Sequence, residues 1–122
     1  MPELPEVETT RCGIEPTTLN QTVTAVTIRQ RSLRWLIPEG VEEQLIGITF
    51  QQIERRAKYL LLKSAQGTLI IHLGMTGTLR VLQGNPPAEK HDHIDLFLSN
   101  GMMLRFRDPR RFGAFIWTAA PI

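Results

Sequence analysis

Pro2 and Glu3 directly follow the initiating methionine. Removal of Met1 would expose a secondary amine, and an α-amino group titrates near about 7.7–8.0, so a useful fraction is neutral and nucleophilic at physiological pH. Amines of this kind attack carbonyl-like carbons to form Schiff bases, the covalent strategy of lysine enzymes. A proline amine would do so as a stiff, preformed nucleophile, with Glu3 beside it as a natural proton donor or acceptor. Taken alone the signal is weak, because many chains begin Met-Pro and catalyse nothing.

Two further stretches carry side chains suited to a nucleic-acid surface. In HLGMTG, Met75 stands between Gly74 and Gly77. It reads equally as core filler or as the tip of an exposed loop. In DPRRFG, Asp108-Pro109 opens a turn, and Arg110, Arg111 and Phe112 precede Gly113. Apolar wedges flanked by arginine are the means by which proteins unstack and kink duplex DNA, and a place for Phe112 in the core is the competing reading. Basic residues gather at Arg55, Arg56 and Lys58, and again at Arg105, Arg107, Arg110 and Arg111. Eleven of the fourteen cations are arginine, the side chain suited to planar contact with phosphate or a base edge. A solvated basic face would account for either cluster alone. KHDHIDL puts His91 and His93 on one side of an expected strand with Asp92 opposite. A His-x-His pair without a third ligand is a weak metal signal, so phosphate contact by histidine is the stronger reading. His72 reads as a satisfied, half-buried histidine.

These residues need elements to hold them. Pro5 suits the first turn of a helix, Glu6 and Glu8 favour its positive end, and Leu4, Val7 and Ile14 share a face. Gly13 and Pro16 predict that this helix stops within a few turns. From Thr22 onward the chain reads mainly as strand: TVTAVTI, then Ile48 to Ile53, YLLLK, TLIIHL, TLRVL, HIDLFLS, MMLRFR and FGAFIW. SAQG and Asn100-Gly101 mark hairpin turns, residues 84–90 a loop, and Pro38 to Leu45 a short helix. Many short antiparallel strands with turn punctuation predict a mainly β fold, a two-layer antiparallel β-sandwich or flattened barrel with a helix packed on it.

With 122 residues, the chain is long enough for one domain. No apolar run approaches the about 20 residues of a membrane span, and no leader precedes the fold, so no membrane partner and a cytoplasmic home are expected. The single cysteine, Cys12, excludes a disulfide framework and a cysteine-rich zinc site in this chain. The chain ends just after the apolar FGAFIW, as would a piece of a longer protein cut at a domain edge.

Taken together and in order, PELPEVE, RRAKYLLL, HLGMTG, KHDH and DPRRFG resemble the bacterial formamidopyrimidine-DNA glycosylases, over essentially all of the sequence. The related endonuclease VIII branch resembles PEGPE at its start, and the PELPE found here favours the formamidopyrimidine branch. The resemblance implies a single catalytic amino-terminal domain over residues 1–122, a two-layer β-sandwich with flanking helices. It implies that Pro2 attacks C1′ of a damaged purine nucleotide in double-stranded DNA. The oxidised base, 8-oxoguanine or a formamidopyrimidine, leaves, and the Schiff base supports strand cleavage at the abasic site by β,δ-elimination. Glu3 matches the proton-transfer residue, and Lys58 a lysine near the lesion and its phosphate. Met75, Arg110 and Phe112 match the residues that fill the hole left by base flipping, with Arg110 meeting the orphaned cytosine. His91 and Arg111 match backbone-phosphate contacts. A base must leave the stack because the reacting bond is shielded inside it.

The resemblance also implies a monomer, nucleoid-associated when bound to DNA, with no cofactor in this chain. One zinc is expected in the carboxy-terminal half of the family, which this chain lacks together with the helical DNA-binding region and the lesion-covering loop. Alone, the chain is expected to be inactive or weakly active. Two rivals are a non-enzymatic β-barrel module that binds nucleic acid and, more distantly, a metal enzyme built on His91 and His93.

Overall fold

The computed structural model describes residues 4–119. Two four-stranded antiparallel sheets carry the fold. The first runs in the order β1 (Val23–Ile28), β6 (Asp92–Leu98), β7 (Met102–Arg107), β5 (Thr78–Gln83). The second runs β2 (Gln52–Arg56), β3 (Tyr59–Lys63), β4 (Thr68–His72), β8 (Ala114–Thr118). Between the sheets lies one apolar cluster that includes Phe50, Leu60, Leu62, Leu69, Ile94, Leu96 and Phe106. The fold is therefore the expected two-layer sandwich, with two separate sheets. The helix α1 (Leu4–Thr18) packs against β5, β2 and β3, and the short α2 (Val41–Leu45) lies against β1. Among the described residues no helix is long and apolar enough to cross a membrane.

Three local expectations are corrected. The helix α1 runs through both Gly13 and Pro16. These two residues and Cys12 face solvent, whereas Val7 and Ile14 on the opposite face are buried. The Cys12 carbonyl that loses its partner to Pro16 therefore belongs to an exposed residue, where the cost of a proline is smallest. The strand expected from Ile48 begins only at Gln52. Phe50 is fully buried, and its backbone bonds to Asn20 and Gln21 at 2.7 and 3.2 Å instead of to β3. Finally, a bulge between Asp92 and Ile94 breaks the alternation of KHDHIDL. His91 precedes the strand, and Asp92 and His93 are both buried.

Arg105 also leaves the basic surface expected of it. It is 2 % exposed and donates to both carboxylate oxygens of Asp95, at 2.8 and 3.0 Å. Two further hydrogens go to the carbonyls of Pro86 and Pro87. Arg29 reaches the same carboxylate, and Arg80 approaches Asp92 at 3.5 Å. The loop over residues 84–91 thus lies on the outer face of the first sheet and buries an ion-pair layer there. Burial would raise the Asp95 carboxyl, but the hydrogen bonds and charges of Arg105 and Arg29 outweigh it and hold the group below the usual carboxylate range.

Candidate nucleic-acid interface

Pro2 and Glu3 lie outside the described residues, and so does the geometry of the proposed nucleophile. The helix that follows them is held by its own charges. Glu8 accepts from Arg11 at 2.7 Å and from Arg55 Nε at 3.1 Å. Arg55 in turn donates to the Ala57 carbonyl at 2.9 Å, so α1 is tied to the β2–β3 turn that carries Lys58. Ala57 occupies the left-handed region there, at φ 53°. The Arg11 hydrogen bond, with a smaller one from Arg55, brings the Glu8 carboxyl down to about 2. Lys58 is half-buried. Its charge reaches His72 on the neighbouring β4, whose imidazole sits below its usual value first through burial and then through Arg34 and Lys58. The Tyr59 ring stands 4.8 Å from that of His72.

Met75 and Phe112 settle as exposed residues. Each is 44 % accessible, and both line one concavity of about 250 Å³ with Arg34, His72 and Gly74. Arg110 lies 5.1 Å above the Phe112 ring, a cation–π contact. The loops bearing these side chains touch through backbone. A Cβ on Gly74 would come within 2.6 Å of the Gly113 nitrogen, and one on Gly113 within 2.5 Å of the His72 carbonyl. Glycine at both positions is what lets β4 and β8 end side by side with their following and preceding loops in contact. Gly74 additionally takes φ +66°, and its N–H donates to His72 Nδ1 at 3.0 Å. His72 is buried rather than half-buried, with Nδ1 paired as expected, and it also lines the concavity.

Arg111 is exposed, with φ 56°, and its N–H donates to the Asp108 carbonyl at 3.2 Å. His91 is half-buried, and its carbonyl accepts from the Asp108 N–H at 3.1 Å. The His91 and His93 rings are 6.2 Å apart, edge to face. Among the described residues no three His, Cys, Asp or Glu side chains could hold a metal. The structure therefore brings Met75, Arg110 and Phe112 together, with His91 and Arg111 joined to the same turn. Lys58 does not line that concavity; its charge acts on His72, which does. Arg34, Thr76 and Asp108 were not foreseen as parts of it. Arg34 had no flanking signal at all; its N–H donates to the Gly113 carbonyl at 3.0 Å, a contact made by residues far apart in sequence.

Residues 1–115 match the profile of the formamidopyrimidine-DNA glycosylase N-terminal domain. The chain belongs to the formamidopyrimidine-DNA glycosylase family. It is 60 % identical over 121 residues to the formamidopyrimidine-DNA glycosylase of Shewanella loihica, covering 99 % of this chain and 44 % of that one. The Hydrogenovibrio crunogenus enzyme of the same name is 58 % identical over 122 residues, with the same 44 % share of its own length. Among solved structures, the Lactococcus lactis formamidopyrimidine-DNA glycosylase bound non-covalently to DNA with an AP site aligns over 97 % of this chain and 45 % of its own. Its TM-score is 0.87 at 32 % identity. The complex of the Lactococcus lactis protein with FAPY-dG DNA gives 0.84 at 34 %, over 95 % and 44 % of the two chains. The chain thus spans less than half the length of these family members.

Proposed function

We propose that this chain is the lesion-facing half of a base-excision glycosylase and abasic-site lyase acting on oxidised purines in duplex DNA. The observation that carries the reading is the paired exposure of Met75 and Phe112 on one concavity, with Arg110 stacked on the phenyl ring. Two apolar side chains and a guanidinium at that spacing suit the hole left when a nucleotide turns out of the stack. Arg110 would meet the orphaned base. Lys58, His91 and Arg111 would contact phosphates around the lesion.

In this reading the Pro2 nitrogen attacks C1′, the C1′–N bond to the damaged base breaks, and the base takes the bonding pair and a proton. Glu3 moves the proton that opens the sugar ring, and the resulting imine permits β- then δ-elimination of the flanking phosphates. The family's zinc belongs to the half absent from this chain. Among the described residues no three His, Cys, Asp or Glu side chains are grouped to hold it.

Borohydride reduction on abasic duplex tests the chemistry. A chain freed of Met1 should be trapped on the DNA, and Pro2→Gly should weaken trapping. A processed chain that binds DNA and is never trapped would instead be a nucleic-acid-binding module without chemistry.

A further inference from the structure

Thr76 and Asp108 take no part in that chemistry, yet the two wedge-bearing loops meet through them. Asp108 is fully buried. Its Oδ1 accepts from the Thr76 hydroxyl at 3.0 Å, and its Oδ2 accepts from the Gly113 N–H at 2.7 Å. Thr76 Oγ1 in turn accepts from the Arg110 N–H at 3.4 Å. The Asp108 carbonyl accepts from His93 Nε2 at 2.8 Å. The bond to Gly113 closes the 108–113 turn on itself. The bond to Thr76 does something else: it crosses to the Met75 loop, which a turn has no need to do. A carboxylate kept from water is costly unless every oxygen is paired, and here one oxygen is spent on each loop.

We propose that Asp108, through Thr76, is a positioning residue that locks the Met75 loop to the Arg110–Phe112 loop, so that the wedges enter a duplex as one body. The proposal rests on the reading of this surface as the one that faces DNA. Successive nucleotides lie about 3.4 Å apart along a strand. Two probes on independently moving loops would lose that register, and errors of about 1 Å can cost about 100-fold in a reacting complex.

Thr76→Val removes both side-chain bonds between the loops, the one given to Asp108 and the one accepted from the Arg110 N–H. Thr76 is an exposed residue, the replacement has the same shape, and both loops keep their own turns. Amide hydrogen exchange of the 122-residue chain, without DNA, should show Gly113, whose own bond to Asp108 Oδ2 the replacement leaves in place, exchanging about tenfold faster in Thr76→Val; the Arg110 amide loses its own acceptor and is not the readout. Thr76→Ser should restore the parental rates. Binding is then compared on intact duplex and on duplex with a tetrahydrofuran abasic analogue opposite 2-aminopurine. Thr76→Val should lose preference for the abasic duplex several-fold, and Phe112→Ala should cost less in that background than in the parent. Unchanged exchange at Gly113 would overturn the coupling. Faster exchange with fully additive effects on binding would overturn joint use of the loops. A parent chain with no preference for abasic duplex would refute the DNA-facing reading itself, while the exchange measurement still decides the coupling.

Discussion

At the scale of single residues, Met75 and Phe112 separate two uses of an apolar side chain. Single exposed hydrophobic residues are common, but these two share one concavity with Arg34 and His72. Because neither is in the core, Met75→Ala and Phe112→Ala should each change the unfolding free energy by no more than about 0.5 kcal/mol in denaturant melts. Phe106→Ala is the contrast. That ring is 1 % exposed, and its removal should cost about 3–5 kcal/mol. A comparable loss at Phe112 would return it to the core. His72 gives a pH expectation at the same scale. Its folded value lies below the ordinary imidazole value, so between the two the unfolded chain binds more protons. His72 therefore contributes stability fully above about 6.5, and that contribution falls as the pH drops toward the folded value. The lowered Glu8 and Asp95 carboxyls have the same sign at lower pH, with Glu8 reaching about 2. Melting temperatures measured downward from pH 7 should fall monotonically, and a stability that rises toward acid would contradict these assignments.

At the scale of elements, the layer between Asp95, Arg105 and Arg29 fixes β6 to β7 and to the loop over residues 84–91. Asp95→Ala would leave Arg105 buried without its carboxylate and should cost about 3–5 kcal/mol by denaturant unfolding. A cost of a few tenths would mean that water enters the layer freely. This layer also marks where the sequence was hard to read. β1, β3, β4, β5, β7 and β8 were legible because β-branched, aromatic or otherwise apolar runs stood between turn signals, and Asn100-Gly101 placed the β6–β7 hairpin. Arg105 was not, because a buried arginine is recognisable only once Asp95 faces it across two strands in register. The Asp92 bulge and the passage of α1 through Pro16 escaped for the same reason: each is decided by what covers the other side. In the candidate site, HLGMTG and DPRRFG announced loops and wedges by their glycines and arginines. The Thr76–Asp108 bond between them spans 32 positions and leaves no local trace.

At the scale of the whole molecule, the family's members are more than twice as long as this chain, which aligns with 44–45 % of them. A chain that spans less than half of its relatives should hold duplex mainly through Arg, Lys and His contacts to phosphate. Its binding should then weaken with salt at a log–log slope of about −0.9 per phosphate contacted; tight binding indifferent to salt would contradict such a surface. Excision demands more than binding. The target nucleotide must leave the stack, at a few kcal/mol that contacts must offset. In the proposed mechanism the Pro2 amine must then sit within bonding reach of C1′, and the departing base must be held. In that mechanism Met75, Arg110 and Phe112 serve the first demand only. We therefore expect the processed chain to release 8-oxoguanine from duplex at trace rates only. Preformed abasic DNA asks less, since no base remains to be removed and the open sugar presents an aldehyde to the amine. Imine trapping there should exceed excision on lesion duplex by a wide margin. The comparison is made with and without the missing carboxy-terminal half on the same two duplexes. Efficient excision by this chain alone would show that residues 1–122 suffice.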